Sequence, residues 1–481
     1  MSHWGVAALV RACAGPFVPE PESPAGAYEE CNDFYDKEQL REWMAELEKP
    51  RHTGTKAHRE FVAYIARRVE DQCHTNEAES ESRSTGCRIE ALPQRFELWE
   101  IDEDGLRLEV AGQDIDVAGY LPYSGLTNKD GVTAQLYYEG RWRLWSRFQE
   151  EKHKNKIVVI RLRPWSLRKI LLPITERSYP RWLRWRMGRY RRTISLDAQV
   201  PKLRRAHEAG VKGLIVILDM DEDLARNQYV PFRRGPGKVP GLYVTKSHRK
   251  LLKKAARDGE HATLVLPGEK KPDTKTDHLV VTLPATDASV PDDSREVILI
   301  NTHTDGPNFL EENGVVALWA LLGHFAKITE RHRDLVFLFA TGHFAHDVGS
   351  TDDFVRRRQD IIGRTRAAVT IEHLGAKAWR SDKPEPALFF LTNNSKKLNE
   401  EARRFASKLD RVFLIKPGLL KFGEGAHLER EEIPTLGYLT NPGHLLSSAP
   451  DGHLPMLDSN RMCEELKMFR CLIDTLMQPE F

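Results

Sequence analysis

Cysteine is scarce in this chain, and long apolar runs are missing. Six cysteines stand among 481 residues (Cys13, Cys31, Cys73, Cys87, Cys463 and Cys471). That is too few for a disulfide scaffold, and no pair has the C-x-x-C spacing of a zinc knuckle or redox site. On that basis the chain reads as cytoplasmic, with mostly reduced thiols; the alternative is a secreted protein with one incidental disulfide. No stretch reaches the roughly 18 apolar residues that cross a bilayer, so no transmembrane segment is expected. The apolar stretch from Trp4 to Ala14 is interrupted by Arg11 and has no basic residue ahead of it, unlike a secretory signal. An excess of one charge is lacking as well. The chain carries 72 Lys and Arg against 70 Asp and Glu, a formal net charge of +2. That balance excludes a protein held to nucleic acid by bulk charge.

The length allows two to three domains and a sizeable core. Residues 1–35, rich in Pro, Gly and Glu, read as a loose arm. Helical spacing follows: Leu40, Trp43, Met44 and Leu47 recur at i, i+3, i+4 and i+7, and Phe61, Tyr64 and Ile65 continue it after a break at Pro50–Gly54. Residues 74–86 are polar and without period. Residues 88–140 turn to short alternating runs, a strand signature. A smaller α+β module then shows strands at 156–160, 213–217, 239–244 and 262–266, with helices at 200–209 and 247–256.

The last third alternates strand and helix. Strands are expected at 297–301, 335–340, 367–371, 387–391 and 435–440, with helices at 314–327, 352–358, 395–409 and 460–477. Apolar strands alternating with helices give an α/β fold, a mostly parallel central sheet covered on both faces. Ligands in such sheets bind beyond the carboxyl ends of the strands. Those positions are dense in His and acid. Thr302-His303-Thr304-Asp305-Gly306 follows the first strand, then Glu311-Glu312-Asn313 precedes a helix. His343, His346 and Asp347 follow the next strand, and Glu372-His373 the one after. His427, His444, Ser447, Asp451 and His453 come later in the chain. A polar pair after a strand is ordinarily a turn or cap. The recurrence after every major strand is what a catalytic crevice needs.

At these residues the chain resembles the di-zinc exopeptidases, the family of aminopeptidases, glutamate carboxypeptidase and the transferrin receptor. Arg51-His52-Thr53-Gly54-Thr55 looks like the segment that leads into the peptidase domain. Residues 119–268 look like the inserted protease-associated domain, with Ala206–Gly213 and Val239-Pro240-Gly241 as its marks. The resemblance implies that 36–118 and 269–481 form the peptidase-like domain. It implies a zinc ligand at His303 oriented by Asp305, and a carboxylate ligand at Glu372. Where the family has a bridging Asp, this chain has Leu310. Where it has a Glu-Glu pair, this chain has His343-Phe344, and where it has a final His ligand, Ser447.

With those positions altered, the ligand set His303, Glu372 and His444 leaves room for one zinc ion or none. His343, Asp305, His346 and Asp347 are the candidates for acid/base work. Glu311, Glu312, His373, His427 and Ser447 are the candidates for holding substrate. The expected function is hydrolysis of an amide-like bond in a small-molecule or peptide-like substrate. A metal-independent acid/base enzyme of lyase or isomerase type, and a catalytically inactive binding protein, stand as alternatives.

One segment is left over. Residues 164–193 interrupt the smaller module, and seven arginines fall between 177 and 192 among Tyr179, Trp182, Trp185 and Tyr190. Such a surface suits contact between identical subunits. An anionic membrane surface is another fit, and nucleic acid is the least favoured partner, because nothing elsewhere extends the positive charge.

Overall fold

The computed structural model describes residues 37–79, 86–143, 145–166, 174–189, 191–232, 235–286, 291, 294–346, 348–418 and 423–481. The expected arm at 1–35 and Asp347 lie outside these residues.

Nine strands make the main sheet: β1 (Arg88–Ile101), β2 (Thr175–Tyr179), β3 (Gly268–Leu283), β4 (Val297–His303), β5 (Asp334–Ala340), β6 (Thr365–Ile371), β7 (Ala387–Phe390), β8 (Val412–Ile415) and β9 (Thr435–Thr440). Their order is β1-β3-β5-β4-β6-β9-β7-β8-β2. The central strands β5, β4, β6 and β9 run parallel, while antiparallel pairs flank them. Every residue of β4 and β5 is buried, which is why both read as continuous apolar runs rather than alternating ones.

Helices cover both faces. The helix α1 (Lys56–Glu79), α2 (Gly314–Phe325) and α4 (Ser459–Met477) pack around one cluster, with α3 (Gly425–Arg430) elsewhere on the sheet. Trp319 of α2 meets Trp43, Phe61 and Tyr64 at ring distances of 5.7–6.4 Å. This ties the first helical segments to the last third of the chain.

The second sheet is an insertion. Ile101 at the end of β1 pairs with Gly268 at the start of β3, so the chain leaves and rejoins the main sheet at neighbouring points. The intervening residues form an eight-stranded sheet around Val132–Arg141, Lys156–Leu162, Gly213–Leu218 and Gly241–Thr245, which run parallel. Side chains alternate along these strands. Ile157, Val159, Ile215 and Ile217 face a core of their own, while Val158, Ile160, Leu214 and Val216 join the main core. The two sheets therefore share a packed boundary.

Three elements were not legible as such: the long β3, the strand β8, and β2 within the basic segment. β2 adds to the sheet edge by pairing antiparallel with β8, so part of that segment is spent on an intramolecular strand. Beyond it Leu183 is buried, whereas Trp182 and Trp185 are 48% and 75% exposed.

The cysteines differ from expectation. Cys73 and Cys87 are joined in a disulfide, Cys471 is disulfide-bonded too, and Cys463 is buried. Sparse cysteines therefore did not mean reduced ones. Among the described residues, no helix is long and apolar enough to cross a membrane.

Candidate active site

The carboxyl ends of β4, β5 and β6 bring His303, His343 and Glu372-His373 together. His303 closes β4 and is fully buried. Its Nδ1 lies 2.9 Å from the carbonyl oxygen of Asp305, and a carbonyl only accepts, so Nδ1 carries the proton. Nε2 is then left as a lone pair, and it has no hydrogen-bond partner. Burial pushes the His303 imidazole below its ordinary value, and the neighbouring His343 adds to that, against the pull of Glu372, Glu311 and Asp305.

Asp305 organises rather than binds. Its carboxylate accepts the backbone amides of His343 (3.3 Å) and Phe344 (2.9 Å) and the hydroxyl of Thr53. Burial alone would raise its pKa, but His58, His303, His343 and the Thr53 hydrogen bond outweigh it, so the carboxyl sits below the usual range. The segment before α1 is stitched to the same loop. Arg51 and Gly306 exchange backbone hydrogen bonds of 2.8 and 3.0 Å. Arg51 Nη1 also meets Glu312 Oε2 at 2.8 Å, with both side chains buried. Burial drives Glu312 well above the usual carboxylate range, with Arg51 opposing. Arg51 thus takes one oxygen of Glu312, while Oε1 is buried without a hydrogen-bond partner.

Glu311 and His373 form the next pair. His373 Nδ1 lies 3.0 Å from the Thr440 carbonyl and Nε2 lies 2.9 Å from Glu311 Oε2. Burial lowers this imidazole, but Glu311 and then Glu372 overcome it and the net shift is upward. The same Glu311 oxygen stands 3.7 Å from His303 Nε2, so two imidazole nitrogens and a carboxylate converge. Among the described residues, two groups have ligand atoms within 4.8 Å of one another: His303, Glu311 and His343, and His303, Glu372 and His373. His303 belongs to both.

His343 stacks face to face on His303, with ring centroids 4.1 Å apart and 11° between planes. Phe232 also stacks on His343, at 5.5 Å and 22°. The segment carrying Phe232 is held to the loop after β9, where Tyr229 N donates to the Leu446 carbonyl at 2.7 Å and Ser448 N to the Asn227 carbonyl at 3.1 Å. Tyr229 stacks on His52 at 3.9 Å. His343 Nδ1 lies 2.5 Å from Glu424 Oε1, and Glu424 is fully buried.

The remaining candidates fall outside this group. His346 is exposed and rests against Gly235, in a shallow pocket lined by Phe96, Trp99, Tyr123 and Lys270. His427 lies on α3 beside Arg430. His444 is buried near Trp379 and His453, at ring distances of 6.0 and 5.3 Å, and belongs to neither group that could hold a metal. Ser447 Oγ lies 3.0 Å from His453 Nε2. Phe344 is fully buried, packed on Phe232 at 4.9 Å. Asn308 was missed by the sequence; its amide donates to the carbonyls of His444, Leu445 and Ser447 at 2.7–3.0 Å and holds that loop.

The whole chain has close relatives in shape. A zinc aminopeptidase from Bacillus subtilis aligns with a TM-score of 0.63 over 92% of this chain and 95% of its own, at 14% identity. A Peptidase M28 precursor from Shewanella amazonensis SB2B gives 0.63 over 95% and 96%, at 12% identity. The fold is that of the zinc aminopeptidases. An aminopeptidase from Aneurinibacillus sp. strain AM-1 agrees, with a TM-score of 0.61 over 94% and 96% at 16% identity. No protein-family model matches the chain, and no curated protein matches it in sequence.

Proposed function

We propose that this protein is a peptidase-like hydrolase of an amide-like bond, built on one metal ion rather than two. His303, Glu372 and His373 would hold the ion, with Glu311 beside it. The observation that carries this reading is His303 Nε2: a buried lone pair with no partner, common to both groups able to hold a metal. The donor chemistry fits. Two imidazoles and a carboxylate form a known catalytic zinc set, and each imidazole has a carbonyl on its Nδ1; that leaves His303 Nε2 for the metal, while His373 Nε2 would exchange its 2.9 Å contact with Glu311 for the ion. When bound, such an ion polarises the scissile carbonyl as a Lewis acid and makes water acidic.

The protein's own residues account for the rest. His343 takes the proton from the attacking water as the bond to the carbonyl carbon forms, and returns it to the nitrogen as the C–N bond breaks. Asp305 holds the backbone of His343 and Phe344 in place. The inserted lobe, which we read as protease-associated-like, places Phe232 over His343 and keeps water out. The substrate is read as small or as presenting a chain end, since His303, His343, Glu372 and His373 are all buried.

A second reading has its own support: His373–Glu311 and His343–Glu424 are imidazole–carboxylate pairs complete without a metal. One experiment separates the two. The purified chain is equilibrated with zinc, dialysed and assayed for metal, alongside His303→Ala. About one ion per chain, lost in the variant, is expected, together with chelator-sensitive cleavage of aminoacyl p-nitroanilides. Zinc no higher in the native chain than in the variant would sink the metal reading.

A further inference from the structure

The mechanism proposed above asks His343 to accept a proton on one particular nitrogen. What holds it ready is Glu424. Its Oε2 accepts from the Ser350 hydroxyl (2.5 Å), the Thr351 amide (2.9 Å) and the Thr351 hydroxyl (2.6 Å). Donors gathered on one oxygen favour the ionised carboxylate even when it is fully buried. The other oxygen, Oε1, faces His343 Nδ1 within hydrogen-bond reach. An ionised carboxylate can only accept, so the proton belongs on Nδ1 and the lone pair on Nε2.

The ring has no other freedom. His303 and Phe232 both stack on it, which opposes tilting, and the Glu424 bond opposes rotation in the plane. The backbone that carries Glu424 is fixed as well: its amide donates to Glu372 Oε1 at 2.7 Å. Glu424 thus couples the base to a residue of the metal group.

We infer that Glu424 is the positioning residue of a His343–Glu424 dyad, locking His343 in the Nδ1–H tautomer so that Nε2 does the proton transfer. The inference rests on the hydrolase reading only for the proton transfer; the tautomer stands on the contacts alone. A carboxylate in this role replaces the Glu-Glu pair that the resemblance leads one to expect at His343-Phe344. Removing such a carboxylate while keeping its shape puts the histidine in the wrong tautomer and lowers kcat by orders of magnitude with little change in KM.

The test uses the full-length protein labelled with [15N]histidine. His343 is identified as the signal missing from His343→Gln. Native protein is expected to show a protonated Nδ1 and a bare Nε2, and Glu424→Asp to keep that pattern. Glu424→Gln, whose amide can turn a donor toward Nδ1, is expected to reverse it. A native His343 protonated on Nε2 would overturn the inference, whether or not either variant folds, and so would an unchanged tautomer in a folded Glu424→Gln. In parallel, hydrolysis of an aminoacyl p-nitroanilide is followed with zinc present. Glu424→Gln should lower kcat by about 10²–10⁴-fold at unchanged KM, with partial recovery in Glu424→Asp. If the native protein cleaves no such substrate, the hydrolase reading fails, while the nitrogen spectra still decide whether Glu424 sets the tautomer.

Discussion

At the residue scale the site depends on backbone that comes unusually close to side chains. Gly423 has φ +63°, and a Cβ there would stand 2.5 Å from both carboxylate oxygens of Glu372. Only glycine tolerates both the left-handed conformation and that approach. Gly423→Ala should therefore displace Glu372, weaken zinc binding, and cost about 1–3 kcal/mol of stability through backbone strain. Urea denaturation and a zinc titration check it; a variant equal to the native protein in both would show that Glu372 has room to move. This glycine also shows how the sequence could have revealed Glu424. The run Gly423-Glu424-Gly425 follows no strand, so attention to strand ends settled on His427 instead. Two glycines flanking one acid were the signal of a close approach: a Cβ on Gly425 would meet Thr370 Oγ1 at 2.6 Å.

At the element scale, the segment from Arg51 to the first turn of α1 acts as a brace for the loop after β4. His58, on α1, accepts from the Gly54 amide at 3.1 Å and meets Thr304 Oγ1 at 3.0 Å. Burial pushes its pKa from 6.5 down to about 4, with Arg51 and Arg59 adding to the shift and Asp305 opposing it. Between those two values the unfolded chain binds a proton that the folded chain refuses. Above pH 6.5 His58 makes no difference to pH dependence; as pH falls from 6.5 toward 4, the folded state loses up to about 3 kcal/mol on this group. Denaturation midpoints at pH 7 and pH 5 should differ accordingly, and His58→Asn should narrow the gap. An undiminished gap in the variant would place the proton elsewhere. The elements themselves were largely legible because β4, β5, β6 and β9 are continuous apolar runs between amphipathic helices. The strands β2 and β8 were not, since each is four or five residues long and β2 is the edge strand, held by β8 alone. The His and acid residues after β4, β5 and β6 were likewise legible from their place at strand ends. Which of them meet was not, because Glu311, His373 and Glu424 approach across the sheet rather than along the chain.

At the scale of the whole molecule, the inserted lobe and the N-terminal helices are both fastened onto the site-bearing sheet, one by Phe232 and Tyr229, the other by Trp319 and its neighbours. A fastening of covalent kind joins α1 to β1: the Cys73–Cys87 disulfide, spanning 14 positions. Cys73 is buried at the end of the apolar face of α1, and Cys87 precedes the first residue of the long β1–β3 ribbon. A cross-link over that span removes freedom mainly from the unfolded chain, worth about 3 kcal/mol for a loop near 15 residues. Replacing both cysteines by serine should therefore lower the unfolding free energy by about 3 kcal/mol, read in urea as a lower midpoint with a steeper slope, because the unlinked denatured chain exposes more surface. The native midpoint should fall in the same direction when reductant is added, and the doubly substituted protein should be less sensitive to it than the native one, retaining only the response of the Cys471 disulfide. Thiol titration of the unreduced, unfolded chain should find fewer than six free cysteines. Six free thiols, or a midpoint indifferent to the substitution, would return the chain to the reduced state that its sparse cysteines first suggested, and α1 would then be held to the sheet by Trp43, Phe61 and Trp319 packing alone.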